Sequence, residues 1–328
     1  MEKRIFLLLL LSLIASSVLL NAGPGAGEPL KVGVLRGTQF FPMAIIQSKG
    51  LQKKYGFELK IIPMASPAAT QIAIHGHQAD VTFASWQPFA VLRSKGEDTV
   101  IIAPVNHYVN GVIVKKDSGI KSMKDLVGKK LGTFYTPNTG TALIFQYAVN
   151  KEFGFDPYAA TDLREGATPL LLGLFEKGEI DALFLGEPNV TKSLVSGNYR
   201  LIWHVTEAFK KLGREVPLQL CAITTDQSLR TQKEQLKKFI AAYTEAKDIV
   251  TNDPQVWKEL AKEVEIKGDE GAEMLRKSLQ PSYVQTWNKS FIENEVKISY
   301  EMAALQKGVK FIPDKIPEGL FSFDIYSR

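Results

Sequence analysis

The sequence predicts an α/β protein made of two similar lobes, each a mainly parallel sheet flanked by helices. Three observations carry that prediction. Continuous apolar strands alternate with helical stretches from Leu30 onward, the alternation pauses near His107 and restarts, and one short pattern recurs in both halves. Composition agrees with a globular chain: of 328 residues, 45% are hydrophobic and 23% charged. Forty Lys and Arg against 35 Asp and Glu give a net charge of +5, and no basic run offers a nucleic-acid surface. One cysteine, Cys221, excludes an internal disulfide framework and a thiolate zinc cluster.

Residues 1–23 read as a cleaved signal peptide. Lys3 and Arg4 precede an apolar run from Ile5, and small residues follow at Ala22 and Gly23. A membrane anchor is the alternative, but no basic stop-transfer flank follows the run. A lipoprotein would need a cysteine directly after that run, so lipid anchoring is excluded. The mature chain is therefore expected outside the cytoplasm, in the periplasm if the source is Gram-negative.

The first lobe opens with LKVGVL as a strand, a helix through FPMAIIQSKGLQKKYG, and the strand FELKIIPM. A short helix (ATQIAIHGH), a strand (ADVTFASW), a helix (PFAVLRSKG) and the strand TVIIAPV complete it. The second lobe restarts with a capped turn at SMKDLVG, the strand KKLGTFY and the helix TGTALIFQYAVNKEFG, whose Leu143, Ile144, Tyr147 and Ala148 share one face. The helix LLLGLFEKG, the strand IDALFLGEP and the strand YRLIWHV follow.

The repeat can be checked by residue: Gly76, Asp80, Val81, Phe83 and Pro88 recur as Gly178, Asp181, Ala182, Phe184 and Pro188. VPLQLCAITTD is the expected returning strand, and the helical stretches beyond it are expected to pack on the first lobe. The resulting division is 29–108 with 220–328 as lobe 1, and 109–219 as lobe 2.

The stretches KVGVLRGTQFFPMAIIQSKGLQKKYGFELKII, GHQADVTFASWQPFAVLRSKG, SMKDLVGKKLGTF and KGEIDALFLGEP together resemble the periplasmic solute-binding proteins of ABC importers for nitrate, sulfonates, taurine and thiamine-precursor pyrimidines. The resemblance implies a two-lobed type II periplasmic binding protein fold with crossings near Tyr108–Val112 and Leu218–Thr224. It further implies a monomer that holds a small-molecule solute between its lobes and passes it to an ABC permease and its ATPase.

Strand order alone points to the same cleft, since open parallel sheets bind ligands beyond the carboxyl ends of their strands. Candidate contacts are Thr38, Gln39 and Phe40 after the first strand, Trp86 and Gln87 after the third, and Tyr108 at the crossing. In the second lobe the segment from Tyr135 to Thr141 qualifies, with Thr136, Asn138, Thr139, Gly140 and Thr141 as the contacts singled out and Glu187 opposite. TPNTGTA opens a helix with small and hydroxyl residues that suit an anionic group, though an ordinary N-cap has the same composition. Trp86, Phe40, Phe41 and Tyr108 are either flat ligand walls or core. Glu187 opposes a purely anionic ligand unless it pairs with a cation such as Arg36, faces solvent, holds a proton or caps the next helix; an amine-bearing solute would use it as an acceptor.

His75 and His77, two apart, do not converge on a metal, and neither metal nor cofactor is expected. Asp80 and Asp181 read as backbone caps at strand starts. Capture of a sulfonate or related oxyanion-bearing solute is the favoured function, with a thiamine-precursor-type pyrimidine second. An enzyme on the same fold, a pyrimidine synthase, is opposed by the signal peptide and by the lone Cys221 where those enzymes carry a cysteine-rich motif.

Overall fold

The computed structural model describes residues 28–137, 139–305 and 311–326. The signal-peptide segment 1–23 and Asn138 lie outside the described residues. In chain order the elements are β1 (Leu30–Val34), α1 (Phe40–Ser48), α2 (Leu51–Tyr55), β2 (Leu59–Pro63), α3 (Pro67–His75), β3 (Thr82–Ala84), α4 (Trp86–Ser94), β4 (Thr99–His107) and β5 (Asn110–Lys115). After a 3-10 turn at Met123–Leu126 come β6 (Lys130–Thr133), α5 (Gly140–Phe153), α6 (Pro157–Ala160), β7 (Asp162–Glu165), α7 (Thr168–Glu176), β8 (Ala182–Gly186), α8 (Asn189–Val195), β9 (Tyr199–His204) and α9 (Val205–Lys211). The chain ends with β10 (Leu218–Thr225), α10 (Asp226–Thr231), α11 (Lys233–Asn252), α12 (Val256–Glu263), α13 (Gly268–Leu279) and α14 (Lys289–Ala303).

Two sheets form with matching orders. In one, β1 pairs β2 in parallel, a bridge from Val32 to Val81 carries it to β3, and β10 lies antiparallel between β3 and β4. In the other, the order is β7-β6-β8-β5-β9, parallel through β7, β6 and β8, with β5 antiparallel to both neighbours. The odd strand occupies the same place in each sheet. It is the strand that has just crossed from the other lobe, and because it enters at the cleft it runs away from it, opposite to strands that are followed by helices.

The repeat is visible in hydrogen bonds. Asp80 Oδ2 accepts from the Lys31 amide at 2.8 Å, and Asp181 Oδ2 accepts from the Lys130 amide at 2.8 Å. Each carboxylate ties the start of one parallel strand to the turn before the next.

Each sheet is sealed by its own core. Val32 and Val34 pack with Phe41, Phe83 and Tyr243 in the first, and Phe145 stacks on Phe184 at 3.9 Å beside Trp203 in the second. Most of the C-terminal helical segment packs on the first lobe, α11 lying against α1 and α2. Two helices do more. α13 leans on α8 of the second lobe, and α14 spans both lobes, with Ile292 in a first-lobe cluster and Met302 in the second-lobe core. The apolar residues at its two ends serve different cores, which a single helical stripe in the sequence does not distinguish.

Candidate functional site

The carboxyl ends of β1, β2, β3, β6, β7 and β8 face one another across a cavity of about 400 Å³, and its floor is the start of β10. Leu35, Arg36, Gly37, Thr38, Gln39, Met64, Phe83 and Ser85 line it from one lobe; Phe134, Tyr135, Thr139, Thr141, Thr168, Gly186, Glu187 and Asn189 line it from the other. Gln219 and Leu220 close the base.

Five helices of at least nine residues, α1, α3, α4, α5 and α7, begin at this wall. Ser66 and Thr139 cap α3 and α5 with their own side chains. Gln39, Ser85 and Ala167, at the caps of α1, α4 and α7, place no side-chain acceptor on their helices. No cap side chain offsets the positive ends of these three helices, which stand at the cavity wall.

Two charged side chains stand among the lining residues, and their situations differ. Arg36 is exposed, lies 5.0 Å over the Phe40 ring and donates to the Glu263 carbonyl. Glu187 is buried, and its oxygens accept from the Thr191 amide at 3.1 Å, the Thr191 hydroxyl at 2.9 Å and the Ser278 hydroxyl at 2.6 Å. Burial pushes its carboxyl up from the usual range while these three donors pull it back. It therefore caps α8 and ties the second lobe to α13 of the first. Lys192 and Glu265, 2.5 Å apart, extend the same seam.

Of the residues singled out from sequence, Thr38, Gln39, Thr139, Thr141 and Glu187 line the cavity. Trp86 and Gln87 do not. α4 starts at Trp86, whose ring turns into the first lobe edge-on to Phe321 at 5.4 Å, and Gln87 donates to Ser299 at 3.1 Å. Phe40 is half-buried behind Arg36, and Thr136 is exposed outside the lining, its carbonyl accepting from the Thr139 hydroxyl at 2.9 Å. Tyr108 is wholly buried just behind the wall, where burial raises its phenol pKa. Gly140 separates it from the cleft: a β-carbon at Gly140 would lie 2.7 Å from the Tyr108 hydroxyl and 2.9 Å from Ser85 Oγ, so only glycine lets α5 begin this close to the first lobe.

The aromatic walls are instead Phe83, Phe134 and Tyr135. Gln219, Thr168 and Asn189 were not anticipated. Thr168 follows β7, a strand too short and charged (DLRE) to stand out, although Pro169 in the first turn of α7 is a visible helix-start signal.

The chain matches the family model described as NMT1/THI5 like over residues 37–256. Among solved structures it is similar to the alkanesulfonate-binding protein SsuA from Xanthomonas axonopodis pv. citri bound to MOPS, with a TM-score of 0.70 and 15% identity over 86% of this chain and 96% of that one. The periplasmic aliphatic sulphonate binding protein SsuA from Escherichia coli gives 0.65 and 17% over 87% and 96%. The periplasmic nitrate-binding protein NrtA from Synechocystis PCC 6803 gives 0.61 and 14% over 78% and 70%. No curated protein sequence matches. These likenesses identify the fold as that of periplasmic binding proteins, and by the family model this chain is a member of the NMT1/THI5-like family.

Proposed function

We propose that the chain is the extracytoplasmic solute-binding subunit of an ABC importer, that its cleft closes on a small oxyanion-bearing organic solute such as a sulfonate, and that it delivers the solute to the permease without covalent chemistry. The observation that carries this reading is the convergence of the α1, α4 and α7 amino termini, none capped by a side chain, on one cavity whose basic lining residue is Arg36. Phe83, Phe134, Met64 and Leu220 supply apolar surface for an organic body, and about 400 Å³ falls in the range of small-molecule sites. The solutes named for the sulfonate- and nitrate-binding neighbours share an oxyanion group, with an organic body in the sulfonates alone.

A thiamine-precursor-type pyrimidine is the second reading. It needs a carboxylate free to accept from a ring amine, and the Glu187 oxygens already accept from three donors.

Differential scanning fluorimetry with alkanesulfonates, taurine, nitrate, carboxylates and aminopyrimidines tests the proposal. A sulfonate should raise the midpoint, and Arg36→Ala should weaken it by about tenfold in Kd. A shift with aminopyrimidines alone would select the second reading, and no shift with any compound would remove both.

A further inference from the structure

A line of buried polar side chains runs across the hinge beneath the cleft. Thr38 Oγ1 donates to Asn106 Oδ1 at 2.9 Å, Asn106 Nδ2 donates to Gln219 Oε1 at 3.0 Å, and Gln219 Nε2 donates to Asn110 Oδ1 at 3.4 Å. The four residues come from the loop after β1, from β4, and from the two crossing strands β10 and β5, so the line passes from one lobe to the other. Asn106 and Gln219 each accept through their oxygen from the residue before and donate through their nitrogen to the residue after, and Asn110 accepts through its oxygen at the end. All the bonds therefore point the same way.

The line ends on an unspent donor. Asn110 is completely buried, and its Nδ2 has no hydrogen-bond partner. A buried N–H without an acceptor is costly, so its neighbourhood should supply one. The group that shares its space is the Tyr135 hydroxyl. Both crowd the same side of Gly186, where a β-carbon would lie 3.0 Å from Asn110 Nδ2 and would collide with the Tyr135 hydroxyl. Tyr135 is also a wall of the cavity, its ring held 5.5 Å from Phe184.

A phenol oxygen that accepts from an amide cannot turn its own hydrogen back toward that amide. We propose that the Thr38–Asn106–Gln219–Asn110 line is a polarised relay that fixes the Tyr135 hydroxyl as a hydrogen-bond donor into the cleft, making Tyr135 a specificity residue for the solute's oxyanion and Asn110 its positioning residue. The assignment rests on the oxyanion reading of the cleft given above. The behaviour of the phenol agrees with it: burial drives the Tyr135 pKa up to about 12, and Asn110 counters part of that rise. At the other end Thr38, whose proton is spent on Asn106, meets the cavity as an acceptor. The two ends of the relay therefore present opposite polarity to one solute.

The relay is tested first without any solute, by following the Asn110 side-chain amide in ¹⁵N-edited NMR of the whole mature protein. Tyr135→Phe should move one Asn110 Nδ2–H resonance upfield and speed its exchange with solvent. An unchanged resonance would overturn the relay. The second arm is calorimetry with butane-1-sulfonate. Tyr135→Phe and Asn110→Asp, which turns the hydroxyl back toward the new carboxylate, should each weaken binding roughly tenfold, and the double variant should be no weaker than Tyr135→Phe alone. Additive losses would mean that Asn110→Asp acts by its charge alone, and the positioning role would be lost. If the wild-type protein binds no sulfonate, the functional reading fails while the NMR arm still decides the relay.

Discussion

Glu187 shows how a single side chain can change its meaning between sequence and structure. A carboxylate beside a cleft suggests an amine-bearing ligand, yet here it accepts from Thr191 twice and from Ser278 across the lobes. Its charge is consumed by the seam between α8 and α13, which makes it a structural tie at the rim of the site. Glu187→Ala should therefore cost about 1 to 3 kcal/mol of stability, because it strands the Thr191 amide and the Ser278 hydroxyl. Glu187→Gln should cost less and leave binding of an anionic solute unchanged or stronger. Urea midpoints and titration calorimetry on the two variants check both statements. A loss of affinity for an amine-bearing sulfonate such as taurine in the Gln variant, without loss of stability, would return Glu187 to the role of ligand acceptor.

The helix start at α5 makes the same point one level up. Thr139 accepts from the Ala142 amide at 3.2 Å and donates to the Thr136 carbonyl at 2.9 Å, so both of its hydrogen-bonding functions are spent within its own turn. Thr139→Ala is expected to lower stability by about 1 kcal/mol with little change in affinity, measured by denaturant unfolding beside calorimetry. The hydrogen-bond donors left at this end of α5 are backbone amides and the Thr141 hydroxyl. Helix starts were legible in the sequence because Ser, Thr and Pro have local reasons to sit there, and the strands flanked by turn signals were legible for the same reason. β5 and β7 were not. β5 follows β4 after only two residues, so the apolar run lacks a marked break, and the residues of β7 are half-buried or exposed and carry three charges. The site divides along the same line. Loops after clear strands supplied Thr38, Gln39 and Glu187, whereas Gln219 enters from an antiparallel crossing strand whose partner choice depends on how the lobes meet. Trp86 was misplaced among ligand walls because direction at a helix start depends on the first backbone angles, which composition does not encode.

At the scale of the molecule, α14 straps the hinge from outside. Glu295 accepts from the Leu218 amide at 2.9 Å where β10 begins, and Arg214, just before that strand, pairs with Glu301 at 2.5 Å and donates to Tyr147 at 2.8 Å. Burial pushes the Glu295 carboxyl up to about 7, with Glu215 adding to the rise and the Leu218 amide opposing it. A carboxyl whose folded pKa lies above its unfolded value stabilises the fold fully only below the unfolded value near 4.5, and that stability is lost as pH rises through about 7. The contribution is on the order of 3 kcal/mol. Glu295→Gln keeps an acceptor for Leu218 and removes the titration, so it should match the wild type at pH 4.5 and exceed it in stability at pH 8; equal unfolding curves at pH 8 would show that Glu295 is better solvated than its burial implies. The placement of the tryptophans has a practical consequence of its own. Trp86, Trp203, Trp257 and Trp287 are all buried and none lines the cavity, so intrinsic fluorescence gives a poor view of the site. Cys221 offers an alternative by being inert: it is sealed inside β10, and burial pushes its thiol well above the ordinary range, which keeps it from reacting with maleimide dyes. Ile72 on α3 and Leu170 on α7 are exposed, on helices that leave the cleft from opposite lobes. Ile72→Cys with Leu170→Cys would therefore take a donor and acceptor pair while the native thiol stays silent, and the closure proposed for the cleft would become a distance that single molecules report in real time.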